Sequence, residues 1–176
     1  PIRERKDVGV LRDFEPCEAL SFVMEAIRLT RRALHPSIPL IGFCGAPFTV
    51  ASYFIEGQSS RDFRRTKLFM YRDSGAWNAL MDRLVQLHAA YLNAQIDAGV
   101  QAVQIFDSWV GALAVEDARR WALRPARRLL ERIADLGVPR IYYAHGGAHL
   151  LHDLEPMPCE VIGLDWRIDL HRAALA

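Results

Sequence analysis

Side chains suited to binding a large ligand are concentrated in residues 42–57. The hydroxyls there belong to Thr49, Ser52 and Tyr53, and the aromatic rings belong to Phe43, Phe48 and Phe54. An apolar wall that carries a few hydroxyls suits a large, partly flat ligand. The same residues also fit a tight turn whose rings are core, because glycine and proline mark turns of every kind. Spacing alone leaves both interpretations open.

The elements before and within this stretch predict how it is positioned. Residues 38–41 are an apolar run, which predicts a buried strand. Gly42 and Gly45 follow, and glycine permits positive φ or the close approach of a ligand because it has no Cβ. Pro47 then restricts the chain as it leaves the turn. The pattern predicts a glycine-rich loop at the end of the first strand.

The rest of the chain alternates between helical and strand patterns. Helices are predicted at 16–34, 60–72, 76–98 and 115–136, and further strands at 100–106, 140–144 and 160–164. Pro125 is expected to break or kink the last of these helices. The alternation indicates an α/β fold with a parallel sheet and right-handed crossovers. We expect a single domain over residues 1–176, a partial (β/α)8 TIM barrel of about four βα units.

Polar and aromatic residues also follow the later strands. Asp107, Ser108 and Trp109 follow the second strand, His145 follows the third, and Asp165 follows the fourth. In a parallel barrel these strand ends share the face on which active sites are built. An open doubly wound sheet also gathers its loops at the carboxyl edge. Convergence on one pocket is therefore predicted for either architecture.

Composition narrows the classes of function. The 176 residues are 51% apolar and 24% charged, which is ordinary for a globular domain. No apolar run approaches the ~20 residues that span a bilayer, so no membrane segment is expected. The net charge of +1 supplies no long-range attraction for nucleic acid. Three widely spaced cysteines argue against a disulfide framework or a zinc finger, and favour a reducing, cytoplasmic compartment.

Three separated motifs resemble the uroporphyrinogen decarboxylases of haem biosynthesis. They are Gly42-Phe43-x-Gly45-Ala46-Pro47-Phe48-Thr49 followed by Tyr53 and Glu56-Gly57, then Ile105-Phe106-Asp107-Ser108-Trp109, then Gly163-Leu164-Asp165-Trp166. These motifs occur in the family's order and at its spacing. The resemblance covers practically the whole chain.

The resemblance implies a (β/α)8 barrel that converts uroporphyrinogen III to coproporphyrinogen III by removing the carboxyl groups of four acetate arms. It implies no metal and no organic cofactor, and it allows a homodimer of the full-length protein. By the same resemblance, Tyr53 contacts the substrate near the reacting acetate and Ser108 binds a substrate carboxylate. Phe43 and Phe106 match positions that line the cleft, and core packing explains these two rings equally well.

Some parts of the family's site have no counterpart in residues 1–176. The family's essential aspartate, arginine-rich segment and late histidine are missing, which implies an internal fragment that supplies no catalytic residue and is inactive alone. Asp107 and Asp165 are expected to anchor loop backbone, because an uncovered carboxylate would repel a polyanionic ligand. His145 stands where many bacterial members have lysine, so a neutral imidazole there would supply only a hydrogen bond.

Two other functions remain open. A corrinoid or zinc-dependent methyltransferase of the same superfamily would hold zinc through histidine and cysteine, but Gly147 stands where the cysteine of a His-x-Cys pattern would follow His145. An arginine-rich nucleic-acid binding module would use the basic run at 119–128. Apolar residues alternate with those arginines, as an amphipathic helix requires, and this favours a solvated helix face.

Overall fold

Four parallel strands form one sheet in the computed structural model, which describes residues 1–12, 15–58, 60–134 and 137–174. The strands are β1 (Ile41–Gly45), β2 (Ala102–Asp107), β3 (Arg140–Ala144) and β4 (Val161–Gly163). They lie in the order β1-β2-β3-β4, and each neighbouring pair is parallel. The α/β prediction is confirmed, and four strands are half the number in a closed (β/α)8 barrel.

Helices connect these strands. They are α1 (Arg5–Gly9), α2 (Pro16–Ala19), α3 (Ser21–Ala33), α4 (Pro47–Glu56), α5 (Arg64–Arg72), α6 (Ser74–Asp97), α7 (Val115–Asp117), α8 (Arg124–Arg132), α9 (Leu151–Leu154) and α10 (Leu170–Ala173). Single 3-10 turns occur at Val110–Ala112 and Gly147–Leu150, and a π-helical segment covers Ala118–Leu123. None of the described helices is long and apolar enough to cross a membrane.

The hydrophobic core lies between the helices and one face of the sheet. On β2, Val103 and Ile105 are fully buried, whereas the alternating residues Gln104 and Phe106 are only half-buried. The buried face packs against α4 and α6. On the opposite face the Phe43 side chain is 60% exposed, because no described element covers it. One face of the sheet therefore builds the core, and the other presents aromatic side chains.

Strand β1 begins and ends later than predicted. Residues 42–45 belong to the strand rather than to a loop, and neither Gly42 nor Gly45 has a positive φ. A Cβ on Gly42 would lie 2.8 Å from Gln95 Oε1, and one on Gly45 would lie 2.7 Å from Val50 Cγ2. These glycines let α6 and α4 approach the strand closely, so the predicted glycine loop is wrong.

Replacing Gly42 with alanine is expected to lower the free energy of unfolding by about 1–3 kcal/mol, because the new methyl group overlaps Gln95 and Val100. Urea denaturation followed by circular dichroism measures the change. The matched control is Gly9→Ala, since a Cβ there meets nothing within 4 Å. Equal midpoints for the two variants would contradict the close packing of α6 on β1.

Pro125 does not interrupt the helix that was predicted around it. The helical path continues from α7 through the π-helical segment into α8, where Pro125 lies in the first turn. Within a continuous helix, a proline removes one backbone hydrogen bond and its ring clashes with the carbonyl of residue i−4. The wider π turn accommodates the proline, so the predicted break is wrong. The predicted helix end at Leu136 lies outside the described residues.

The remaining elements occur where they were predicted, with shifted ends. The prediction for β3 matches at both ends, whereas β2 and β4 each differ by one or two residues. The helix that begins at Pro16 is divided at Leu20 into α2 and α3. Gly57, Gly99 and Gly137 all adopt positive φ, as expected of residues that follow a helix.

Candidate functional site

Two ring contacts at the carboxyl ends of β1 and β2 bring the predicted site residues together. The Tyr53 ring lies T-shaped against Trp109, with 6.1 Å between their centroids, and Trp109 directly follows Ser108. The Phe43 ring lies T-shaped against Phe106 at 5.7 Å. One contact joins β1 to β2, and the other joins α4 to the residue that follows Ser108.

The hydroxyls of Tyr53 and Ser108 are available to a ligand. The Tyr53 side chain is 55% exposed, and Ser108 is half-buried. Within the part of the chain that the structure describes, neither hydroxyl makes a hydrogen bond. An accessible hydroxyl can donate to a carboxylate oxygen without first breaking a protein hydrogen bond.

The other hydroxyls of the 42–57 stretch are not available. Ser52 Oγ donates to the Phe48 carbonyl oxygen at 2.9 Å, and Thr49 Oγ1 donates to Asp107 at 2.8 Å, both inside the protein. Phe48 is fully buried against Trp77. The predicted wall of hydroxyls and rings is therefore wrong for these residues, because α4 turns them towards the core.

A third ring, which the sequence prediction missed, extends the aromatic surface. Tyr143 on β3 lies T-shaped against Phe106 at 5.8 Å, and the two residues are paired in the register of β2 and β3. Tyr142, its neighbour, is fully buried. Alternation along a strand predicts that one of the two tyrosines faces the open side, but it does not predict which one.

A cavity of about 420 Å³ opens beside Tyr53. Its lining includes Ser52, Tyr53, Glu56, Phe63 and Trp109. Phe63 has a φ of 51°, which is uncommon for a residue with a Cβ, and its ring lies 5.1 Å from the Trp109 ring. The buried Glu56 carboxylate accepts hydrogen bonds from the N–H and the hydroxyl of Thr66 at 2.9 Å each. These contacts fix the segment between α4 and α5, which forms part of the cavity wall.

A larger cavity, of about 530 Å³, lies between the N-terminal residues and α5. Its lining includes Arg3, Arg5, Arg65, Arg72 and Asp73, and it shares no lining residue with the cavity beside Tyr53. Asp73 pairs with Arg5 at 2.7 Å, so part of the positive charge there is neutralised within the protein. We place the candidate site at the smaller cavity because the exposed Tyr53 lines it together with the rings of Phe63 and Trp109, and Trp109 directly follows Ser108.

Asp107 holds the end of β2 to two neighbouring elements. Its carboxylate accepts hydrogen bonds from Thr49 Oγ1 of α4 at 2.8 Å and from the Tyr142 hydroxyl of β3 at 2.7 Å. Thr49 Oγ1 also accepts from the Trp109 N–H at 3.3 Å. Burial raises the pKa of Asp107 to about 6, although the two hydroxyls favour the ionised form. Asp107 therefore anchors side chains rather than loop backbone, which corrects the prediction.

Asp165 connects the loops that follow β3 and β4. It accepts hydrogen bonds from the backbone N–H groups of Gly146 and Arg167, which confirms its predicted role as a loop anchor. These N–H groups lower the pKa of the Asp165 carboxyl. His145 Nδ1 lies 3.7 Å from the same carboxylate and 3.2 Å from the Tyr143 hydroxyl.

The side chains present do not fit a zinc site. Among the described residues, no group of three His, Cys, Asp or Glu side chains is arranged to hold a metal ion. Cys44 is buried, and burial raises the pKa of its thiol to about 12. Thiolate is the form that binds zinc, so Cys44 is a poor ligand.

Comparisons with known proteins agree with the arrangement of motifs on the sheet. The uroporphyrinogen decarboxylase (URO-D) family model matches residues 1–176. The chain is 48% identical over 174 residues to a uroporphyrinogen decarboxylase of Chloroflexus aurantiacus, and 46% identical over 173 residues to one of Bacillus mycoides. These alignments cover 97% and 98% of this chain and 49% of each relative. The chain spans about half the length of these relatives.

A solved structure shares the fold. A methyltransferase from Methanosarcina mazei superposes with a TM-score of 0.64 over 81% of this chain and 41% of its own, at 23% identity. That similarity extends to the fold alone. The family match covers every motif that carries Tyr53, Ser108 and the aromatic surface. The chain belongs to the uroporphyrinogen decarboxylase family.

Proposed function

We propose that this chain forms one wall of the substrate cleft of a uroporphyrinogen decarboxylase. The observation that carries the proposal is the pair of accessible hydroxyls, Tyr53 and Ser108, beside the aromatic surface of Phe43 and Phe106. A flat tetrapyrrole with carboxylate arms needs apolar area for its rings and donors for its arms. Ser108 follows Phe106 by two residues at the end of β2, and the Tyr53 ring contacts Trp109, the residue after Ser108.

The proposed chemistry removes carbon dioxide from each acetate arm. The bond between the methylene carbon and the carboxylate carbon breaks, and its electron pair moves into a protonated pyrrole ring of the substrate. The electron pair then returns to the methylene carbon to bind a proton and form a methyl group, and the pyrrole ring releases its extra proton. Because the substrate accepts the electrons, the protein has to bind, orient and stabilise charge. In this scheme Tyr53 orients the reacting arm, and Ser108 holds a neighbouring carboxylate.

The proposed wall can be tested by measuring the affinity for uroporphyrin, the stable oxidised form of the substrate. Binding is followed by the quenching of tryptophan fluorescence. Tyr53→Phe and Ser108→Ala are each expected to weaken binding about fivefold or more, because each removes one hydrogen bond to a charged group. The matched control is Tyr71→Phe, since Tyr71 is also exposed but donates to Asp117. Unchanged affinity in both site variants would refute the proposed roles.

The other functions have less support. The methyltransferase neighbour shares only the fold, and stoichiometric zinc in the purified protein would be needed to favour that activity. For the nucleic-acid alternative, Arg119 pairs with Asp153 at 2.5 Å and Arg128 pairs with Asp82, so the basic run is partly neutralised. All three cysteines are free, which supports the proposed cytoplasmic compartment.

A further inference from the structure

The end of β4 gathers two nitrogen-bearing side chains around one carboxylate oxygen. Asp165 Oδ2 lies 3.1 Å from Arg167 Nη1 and 3.7 Å from His145 Nδ1. The Asp165 side chain is only 2% exposed, whereas those of Arg167 and His145 are 45% and 41% exposed. The buried carboxylate therefore fixes the inner side of Arg167, the Tyr143 hydroxyl contacts the inner nitrogen of His145 at 3.2 Å, and the outer sides of both groups lie in solvent.

The solvent-facing sides of Arg167 and His145 carry N–H donors that make no hydrogen bond to the described residues. Arginine has five N–H donors in a planar fork, and only the one at Nη1 reaches Asp165 from the Arg167 side chain. The His145 ring uses Nδ1 towards the Tyr143 hydroxyl, while Nε2 makes no hydrogen bond to any residue that the structure describes. When Nδ1 accepts from the Tyr143 hydroxyl, Nε2 carries the hydrogen and is a donor.

The surroundings suit a flat ligand with acidic arms. Trp166 is 84% exposed, and the Arg167 guanidinium lies over its ring at 4.8 Å. The parallel strands place these residues at the same edge of the sheet as Ser108. A carboxylate can accept two parallel hydrogen bonds from an arginine fork, and an aromatic face can stack on a planar ring system.

We propose that His145, positioned by Tyr143, and Arg167, positioned by Asp165, form a carboxylate-binding subsite at the ends of β3 and β4. The subsite takes one acidic arm of a planar polycarboxylate, on the far side of the aromatic surface from Tyr53. The identification of that arm with a tetrapyrrole carboxylate rests on the proposed function. The existence of the subsite rests on its donors alone.

Two variants and two probes test the subsite. With uroporphyrin, His145→Phe and Arg167→Gln are each expected to weaken binding about five- to tenfold. With succinate, a plain dicarboxylate, the side-chain resonances of His145 are expected to shift in a saturable way in the wild-type chain. The matched control is Arg120→Gln, because Arg120 also lies over a tryptophan ring, at 4.3 Å from the Trp121 centroid.

The outcomes separate this inference from the proposed function. If uroporphyrin does not bind the wild-type chain but succinate shifts the resonances of His145, the subsite is supported and the proposed wall of the tetrapyrrole cleft is refuted. If Tyr53→Phe weakens uroporphyrin binding while His145→Phe and Arg167→Gln do not, the wall stands and the subsite is refuted. An absence of any shift at His145 with both probes also refutes the subsite. Equal thermal unfolding midpoints establish that the variants are folded.

Discussion

Replacing Asp107 with alanine is expected to lower the free energy of unfolding by about 3 kcal/mol or more. The substitution leaves the hydroxyls of Thr49 and Tyr142 buried without their acceptor, and each stranded group costs about 1–3 kcal/mol. The total stability of a domain is commonly only about 5–15 kcal/mol, so the loss is severe. Urea denaturation at about pH 4 measures it, because ionisation of the buried Asp107 carboxyl does not yet offset the loss there. The matched control is Asp97→Ala, at an exposed aspartate, which is expected to change the stability by less than about 0.5 kcal/mol.

The stability that Asp107 contributes is expected to fall as the pH rises. The pKa of Asp107 is about 6 in the folded protein, against an ordinary value of 3.8, so the folded state holds this proton more tightly than the unfolded state does. The contribution of Asp107 to the free energy of unfolding is therefore present in full below about pH 4, and it is lost as the pH rises to about 6. Compared with Asp107→Asn, the wild-type chain should lose about 3 kcal/mol of stability across that window.

A second group, His88, titrates in the same pH window and changes the stability in the opposite direction. Burial lowers the pKa of His88 to about 4, so the folded protein loses stability as the pH falls from about 6.5 to about 4. His88 is present in both the wild-type chain and Asp107→Asn, so its effect cancels in their difference. A difference that stays constant between pH 4 and pH 7 would contradict the raised pKa of Asp107.

The 176-residue chain alone is expected to form no coproporphyrinogen from uroporphyrinogen. Of the described carboxylates that follow a strand, Asp107 is fully buried, and the Asp165 side chain is 2% exposed and engaged by its own loops. Neither is free to stabilise the positive charge that develops on a pyrrole ring. In the proposed cleft Tyr53 and Ser108 bind the substrate, but binding alone does not favour the transition state over the bound substrate.

Chromatography of the porphyrins after anaerobic incubation measures this second prediction. A full-length relative, such as the Chloroflexus aurantiacus protein, is the positive control under the same conditions. Product that rises with the concentration of the chain and disappears in Tyr53→Phe would contradict the prediction. Product that is unaffected by Tyr53→Phe would indicate contaminating enzyme.

The sequence predicted the sheet better than the exact ends of its strands. Alternating apolar runs and helical spacing depend on many residues, so one error changes little, and the parallel sheet followed from the alternation of strands with helices. The strand β1 was misplaced because Gly42 and Gly45 have low strand propensity. Only the structure shows that their missing side chains make room for Gln95 and Val50.

The candidate site was predicted in part for a similar reason. Tyr53 and Ser108 were identified from their motifs, and the structure brings their segments together through Trp109. Thr49 and Ser52 carry the same functional group, yet α4 turns both of them inward. Asp107 was assigned to loop backbone because its partners, Thr49 and Tyr142, are distant in sequence. The direction of a side chain depends on tertiary packing, which local spacing does not encode.

The contact between Gln95 and β1 also bears on self-association. Gln95 Oε1 accepts from the Phe43 N–H at 3.0 Å, and Gln95 Nε2 donates to the Phe43 carbonyl oxygen at 2.9 Å. The amide of this glutamine occupies both backbone groups of Phe43 as a neighbouring strand would. Free backbone groups on an edge strand are templates for aggregation. A single side chain from α6 thus takes the place of a neighbouring strand at the middle of the outer edge of β1 in the described four-stranded sheet.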